Sequence, residues 1–382
     1  ATAAWSGDAT GTYGSFAIDA STGTWTYTLN NADTDTNALA QGAIVTDSFT
    51  ATVTDDFGAT ATQVVTITIT GTNDAPVITT AVGGNADTAS ESGVNPGNTA
   101  FAGDPSASGT LSSSDVDTGA TATWSGDATG TYGSFAINAA SGAWTYALNN
   151  VDSDTNALAL GASVTDSFTA TVTDDFGATA TQLVTITITG TNDAPVITTV
   201  VGGNADTASE SGVNPLDTAF AGDASASGTL TSMDVDTGAT ATWSGNATGT
   251  YGSFAINPTS GAWTYALNNA DSDTNALAQG AVVTDSFTAT VTDDFGATAT
   301  QLVTITITGS NDAPVITTAV GGNADTASES GVNPLDTAFA GDPSASGTLA
   351  SSDVDTGATA AWSGDATGTY GSFAINPTSG AW

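Results

Sequence analysis

Residues 181–190, TQLVTITITG, alternate with a period of two: Leu183, Thr185, Thr187 and Thr189 fall on one side of an extended chain, Val184, Ile186 and Ile188 on the other. That alternation predicts a half-buried strand with one apolar face. SFTATVTDD (167–175) and GAWTYAL (142–148) alternate in the same way, and Thr, Val, Ile and aromatic residues suit a pleated, half-buried surface. DDFGA (174–178) and NAASG (138–142) separate such runs and predict hairpin turns. No stretch carries a convincing amphipathic helical pattern. The tryptophans, Phe135, Phe168 and Phe176 read as core or sheet-face packing residues.

The pattern returns at a fixed interval. The tryptophan of WSG stands at Trp5, Trp124, Trp243 and Trp362, each 119 positions after the last. Each copy holds about seven predicted strands, which points to a two-sheet antiparallel sandwich of immunoglobulin-like kind. A period this long suggests whole domains joined in series rather than thin solenoid units. The expected division is a partial repeat at 1–75 lacking its N-terminal strands, complete repeats at 76–194 and 195–313, and a partial repeat at 314–382 lacking its C-terminal strands. Both ends cut through a repeat, so the expectation is a segment of a longer repetitive chain.

Charge then narrows the chemistry. The 382 residues include 39 Asp and Glu but no Lys, Arg or His, giving a formal charge of −39. Nucleic-acid phosphates need basic side chains, and an anionic membrane surface would repel such a chain. With 39% hydrophobic and only 10% charged residues, the composition is that of a folding chain rather than an acidic disordered tail. There is no cysteine, so neither disulfides nor thiol chemistry enters. No apolar run is long enough to span a bilayer, so direct membrane insertion is not expected. Ser or Thr nucleophiles lack a His or Lys base, zinc lacks His and Cys, and phosphoryl transfer lacks Lys and Arg, so these enzyme classes fall away. A glycosidase carboxylate pair would have to recur in every copy without any cleft-forming insertion. The expectation is a non-enzyme.

A hard cation remains, since Asp, Asn, Glu and carbonyl oxygens are the ligands that Ca²⁺ gathers. DVDTG (115–119, 234–238, 353–357) sets two carboxylates two residues apart in a tight turn. At about 4 Å such a pair repels by about 4 kcal/mol at an effective dielectric of about 20, which an outside cation, a proton or backbone amides would relieve. DSDTN (152–156) imitates the start of an EF-hand loop but lacks its glycine and final glutamate, and reads better as a solvated loop of Asx turns. The three glutamates, Glu91, Glu210 and Glu329, share the context TASESG, which suggests either a need for longer reach or a solvated surface position.

GTNDAPVI, TASES, GTL, DVDTG, YGSFAI, GAWTYAL and DSFTATVTDDFG, in that order and at one period, resemble the VCBS-type cadherin-like repeat of very large bacterial surface adhesins. The resemblance covers essentially the whole chain. It implies an all-β fold of tandem antiparallel β-sandwich domains, immunoglobulin- or cadherin-like, in a linear rod, with calcium bound where domains join. Carried over to matching positions, it nominates Asn73, Asp74, Asn192, Asp193, Asn311 and Asp312 as linker ligands. Glu91, Glu210 and Glu329 would be the glutamates, Asp115, Asp117, Asp234, Asp236, Asp353 and Asp355 the DxD pairs, and Asp174 and Asp293 the hairpin ligands. The last strand covers roughly 40 Å at 3.3 Å per residue, so DDFG and NDAP should lie at opposite ends of one domain. By that reasoning Glu91, Asn192, Asp193, Asp234, Asp236 and Asp293 belong to one junction, where proline restricts the linker and cation binding stiffens it.

The function these features imply is a structural extender in a secreted or surface-attached bacterial adhesin, rigidified by Ca²⁺ and supporting adhesion or a biofilm matrix. The expected location is extracellular or on the bacterial surface. Expected partners are calcium ions, neighbouring repeats of the same chain and, in a fibre, other copies of it. A self-assembling filament subunit and a carbohydrate-binding module are the alternatives.

Overall fold

The computed structural model describes residues 2–214 and 216–382; positions 1 and 215, which fall in the first and third expected domains, lie outside the described residues. The chain divides into two compact units. The first comprises Ala1–Asn95, Thr99–Asp193 and Val235–Gly238, the second Pro96–Asn98, Ala194–Asp234 and Ala239–Trp382.

The first unit begins with strands β1 (Ala4–Ser6), β2 (Ala9–Thr10), β3 (Gly14–Ile18) and β4 (Trp25–Leu29). A helical turn α1 (Thr34–Asn37) leads into the long hairpin of β5 (Ile44–Thr54) and β6 (Thr60–Thr70). The next copy opens with β7 (Val77–Ile78), β8 (Ala86–Ser90), β9 (Gly93–Asn95), β10 (Thr99–Phe101), β11 (Ser106–Thr110) and β12 (Ser113–Ser114). It continues with β13 (Ala122–Ser125), β14 (Ala128–Thr129), β15 (Gly133–Ile137), β16 (Ala143–Leu148), α2 (Ser153–Asn156), β17 (Ser163–Asp174) and β18 (Thr179–Thr189). Two four-stranded sheets result, β11-β16-β15-β14 and β13-β17-β18-β8, facing each other as a sandwich. The copy holds twelve strands rather than about seven, eight in these two sheets and four in the short pairs of β7 with β12 and β9 with β10.

The period-two pattern explains which faces meet. In β17, Phe168, Ala170 and Val172 are buried while Thr165, Ser167 and Thr169 are exposed; in β18, Val184, Ile186 and Ile188 are completely buried. Opposite them lie Phe135 and Ile137 of β15 and Trp144, Tyr146 and Leu148 of β16. Phe135 stacks on Phe168 at 5.0 Å between ring centroids, joining the two sheets. Phe176, by contrast, is 54% exposed on its hairpin and is no core residue.

The Trp144 indole fills a slot lined by two glycines and donates from Nε1 to the Gly84 carbonyl at 2.8 Å. A Cβ on Gly109 would lie 2.6 Å from Trp144 Cζ2, so the slot needs glycine there. In the first copy the sheet β2-β3-β4 ends at β4, and Trp25 is 45% exposed, against 1% for Trp144, which β11 flanks.

Two local features differ from the sequence expectation. The sandwich is not wholly antiparallel, because β8 runs parallel to β18 from Ala86 opposite Thr185 to Ser90 opposite Thr189. The short β8 and the long last strand β18 thus run the same way, so the chain enters a domain at one end and leaves at the other. DSDTN folds as a single helical turn whose N-cap, Asp152, accepts a hydrogen bond from Asp154 N. The Asx-type hydrogen bond is present, on a helical turn rather than an open loop.

The second unit contains the same sandwich 119 residues on. Residues Ala205–Ser209 pair parallel with Thr298–Thr308, and Trp243, Phe254, Trp263, Tyr265 and Phe287 occupy its core. Its last copy keeps only short pairings, among them Val315–Ile316 with Ser351–Ser352. Among the described residues no helix is long and apolar enough to cross a membrane.

Candidate metal centre

Each candidate centre grows from a linker. In the first unit, β6 ends at Thr70 and Asn73-Asp74 follows before β7. Asp74 N donates to Asp117 Oδ2 at 2.9 Å, and Asp117 N donates to Asp115 Oδ1 at 2.9 Å, so backbone amides hold the DxD turn against the linker. Asn73 Nδ2 donates to Asp174 Oδ2 at 2.9 Å and to the Asp74 carbonyl at 2.8 Å. The hairpin aspartate is fixed in turn by Phe176 N and Ala178 N on its Oδ1. The Asn73 amide, aided by these backbone amides against burial, holds the Asp174 carboxyl below the usual carboxylate range. Linker, DxD turn and hairpin thus meet in one place.

The far end of the same domain supplies a glutamate. Because Ser90 lies opposite Thr189 in the parallel register, Glu91 N donates to the Thr189 carbonyl at 3.0 Å and its side chain arrives beside the next linker. Glu91 is fully buried, and its Oε2 accepts from Thr191 N at 3.1 Å. Val94 N donates to the Asn192 carbonyl at 2.7 Å, and Asp193 N to Asp236 Oδ2 at 2.9 Å. Burial, reinforced by Asp193 and Asp236 and opposed by the Thr191 amide, raises the Glu91 carboxyl to about 7.

In the second unit the same pieces recur. Glu210 is fully buried and accepts from Ser310 N at 3.1 Å; Asp312 N donates to Asp355 Oδ2 at 2.9 Å, and Asp355 N to Asp353 Oδ1 at 3.0 Å. Asn311 turns its amide onto the Asp312 carbonyl at 2.8 Å. Burial, with Asp312 and Asp355 adding to it and Ser310 N opposing, brings Glu210 to about 7, and Asp312 is raised by burial, then by Asp355 and Asp353. Asp293 holds its hairpin through Phe295 N and Ala297 N as Asp174 does, and Asp234 opens the DxD turn of this unit's first full copy. Glu329 is exposed and joins none of these groups among the described residues.

Among the described residues no three His, Cys, Asp or Glu side chains form a closed metal cluster. Asn side chains and backbone carbonyls lie beside the carboxylates of the linkers. The test of fit is what their oxygens lack. Asp115 Oδ2, Asp117 Oδ1, Glu91 Oε1, Glu210 Oε1, Asp312 Oδ2 and Asp355 Oδ1 are buried and receive no hydrogen bond. A buried carboxylate oxygen without a donor is costly, and this chain has no basic side chain to offer. The donor set is all oxygen, which suits Ca²⁺ rather than a softer metal.

A residue that the sequence reading passed over is Asp166, 5% exposed inside the sandwich. It accepts from Tyr146 Oη at 2.8 Å, Thr131 N at 3.0 Å and Tyr132 N at 3.1 Å, and so anchors the turn before β15. Its parity marks it, since it shares a side of β17 with Phe168, Ala170 and Val172. Asp47 and Asp285 repeat the arrangement with Tyr27 and Tyr265.

Comparison with curated proteins finds no match. Among solved structures, the protocadherin GammaB4 extracellular domain is 18% identical over 100% of this chain and 55% of its own, with a TM-score of 0.43. Protocadherin Gamma B2 extracellular cadherin domains 1-5 are 14% identical over 100% of this chain and 66% of theirs, at 0.47. Human CDH23 EC21-23 is 16% identical over 80% and 88%, at 0.38. The chain thus spans a little over half the length of the first of these. With every score below 0.5, the assignment rests on the sequence family. The bacterial cadherin-like domain matches three times, at residues 1–71, 73–190 and 192–309, and the chain belongs to that family.

Proposed function

We propose that the protein is a calcium-rigidified extender segment of an extracellular bacterial adhesin, its repeats running 1–75, 76–194, 195–313 and 314–382. The observation that carries this is the set of buried carboxylate oxygens without donors, placed where one repeat gives way to the next in a chain lacking any basic side chain. Asn73, Asp74, Asp115, Asp117 and Asp174 would hold a cation at the first linker. Glu210, Asn311, Asp312, Asp353 and Asp355 would hold one at the third. By the 119-residue repeat, Glu91, Asn192, Asp193, Asp234, Asp236, Asp293 and Glu329 stand at positions equivalent to these and would be ligands in the same way. A bound divalent cation supplies the positive charge that the polypeptide lacks and links residues from two repeats, which restricts the linker and favours a rod.

Affinity in the range of about 10⁻⁴ to 10⁻³ M is expected, as for extracellular modules. The test is thermal melting and small-angle scattering of the full chain in chelator, in millimolar Ca²⁺ and in millimolar Mg²⁺. Calcium should raise the melting temperature and lengthen the particle, and magnesium should do much less. Identical melting and scattering in calcium and in chelator would refute the proposal.

A further inference from the structure

The residue before each Asn-Asp pair carries a hydroxyl: Thr72, Thr191 and Ser310. Thr191 is 7% exposed and Ser310 3%, and in both the hydroxyl oxygen is buried without any hydrogen-bond partner. That is unusual, because a hydroxyl turns about its bond to find an acceptor. The backbone amide of the same residue binds a carboxylate in the same condition. Thr191 N binds Glu91 Oε2 while Glu91 Oε1 has no donor, and Ser310 N binds Glu210 Oε2 while Glu210 Oε1 has none.

The backbone is built to close over this point. Gly93 and Gly212 begin the strands that cross it, and a Cβ would lie 2.5 Å from Thr191 Oγ1 and 2.4 Å from Ser310 Oγ, respectively. Val94 N and Val213 N then tie these strands to the Asn192 and Asn311 carbonyls at 2.7 Å. Any larger residue at the glycine would fill the space beside the hydroxyl. The exchange of Thr for Ser between the copies changes a methyl group and keeps the oxygen.

Resting on the calcium reading above, we infer that Thr191 Oγ1 and Ser310 Oγ are neutral ligands of the junction cation, paired with the free oxygens of Glu91 and Glu210. A hydroxyl oxygen suits a hard cation and adds a ligand without adding negative charge, which matters beside a glutamate that is already fully buried. A hydroxyl placed for packing alone would have been a valine or alanine, since an unsatisfied buried O–H destabilises the fold.

The full chain carrying Thr191→Val and Ser310→Ala tests this by calorimetric Ca²⁺ titration and by melting in chelator and in calcium. The expected result has opposite signs in the two conditions. In chelator the melting temperature stays level or rises by about 2–4 °C, because a buried unsatisfied group is gone. In calcium the stabilisation shrinks, with affinity at the altered junctions weakened about tenfold. A companion chain with Thr191→Ser and Ser310→Thr should titrate like wild type. Unchanged affinity in the first variant overturns the inference, as does equal loss of stability in chelator and in calcium, which would mark a structural hydroxyl. If the wild-type chain itself shows no calcium response, the calcium reading fails, and this inference with it.

Discussion

Glu91 and Glu210 are the buried carboxyls whose protonation bears most directly on the metal-free chain. Both are fully buried and raised to about 7, well above the ordinary glutamate value of about 4.3. In the window between those values the folded chain holds protons that the unfolded chain has released, so stability without metal falls as pH rises. The melting temperature in chelator should therefore drop between about pH 5 and pH 7 and then level off. Glu91→Gln with Glu210→Gln should flatten that slope, and a wild-type melting temperature that climbs across the window would contradict the assignment. Asp166 shows the other way of keeping a carboxylate inside: three donors surround it, and no external charge is needed. The Tyr146 hydroxyl answers with an acidity pushed down, its pKa raised by burial first and by Asp166 second.

Among the elements, the slot around Trp144 joins sequence to packing most tightly. Gly109 on β11 lies against the indole and Gly84 receives its Nε1 hydrogen bond. Gly109→Ala should displace the ring and cost about 1–3 kcal/mol, read as a lowered denaturant midpoint, with Gly228→Ala behaving alike beside Trp263. An unchanged midpoint would show that the slot is loose. The strands themselves were legible in the sequence, because Thr alternates with Phe, Ala and Val in β17 and with Val and Ile in β18 so regularly that parity alone assigns the core. The linker, DxD and hairpin motifs were legible through their recurrence, whereas their grouping came from the family resemblance and from strand direction. The parallel pairing of β8 was not, since alternation carries no information on strand direction. Nor was Asp166, whose carboxylate looks out of place in an apolar row until Tyr146 and two backbone amides are seen around it. Thr191 escaped because one threonine among so many on exposed strand faces has no signature in the sequence. Its lack of a partner is visible only in three dimensions.

For the molecule as a whole, the charge of −39 without any cation makes solvent ions part of its energetics. Metal-free chains repel themselves, and monovalent salt shortens the reach of that repulsion from about 30 Å at 0.01 M to about 8 Å at 0.15 M. Sodium chloride added in chelator should raise the melting temperature steadily, and the same addition in millimolar calcium should raise it much less. Equal salt responses would mean that calcium does not neutralise the seams.

The parallel run of β8 beside β18 has a mechanical consequence. A tug on the two ends of one repeat pulls neighbouring strands in opposite directions along their length. The load is then shared by the hydrogen bonds from Ala86 to Ser90 in shear, and they must give way together rather than unzip one by one. Any stretching of the repeat from its two ends would be resisted through those same few residues.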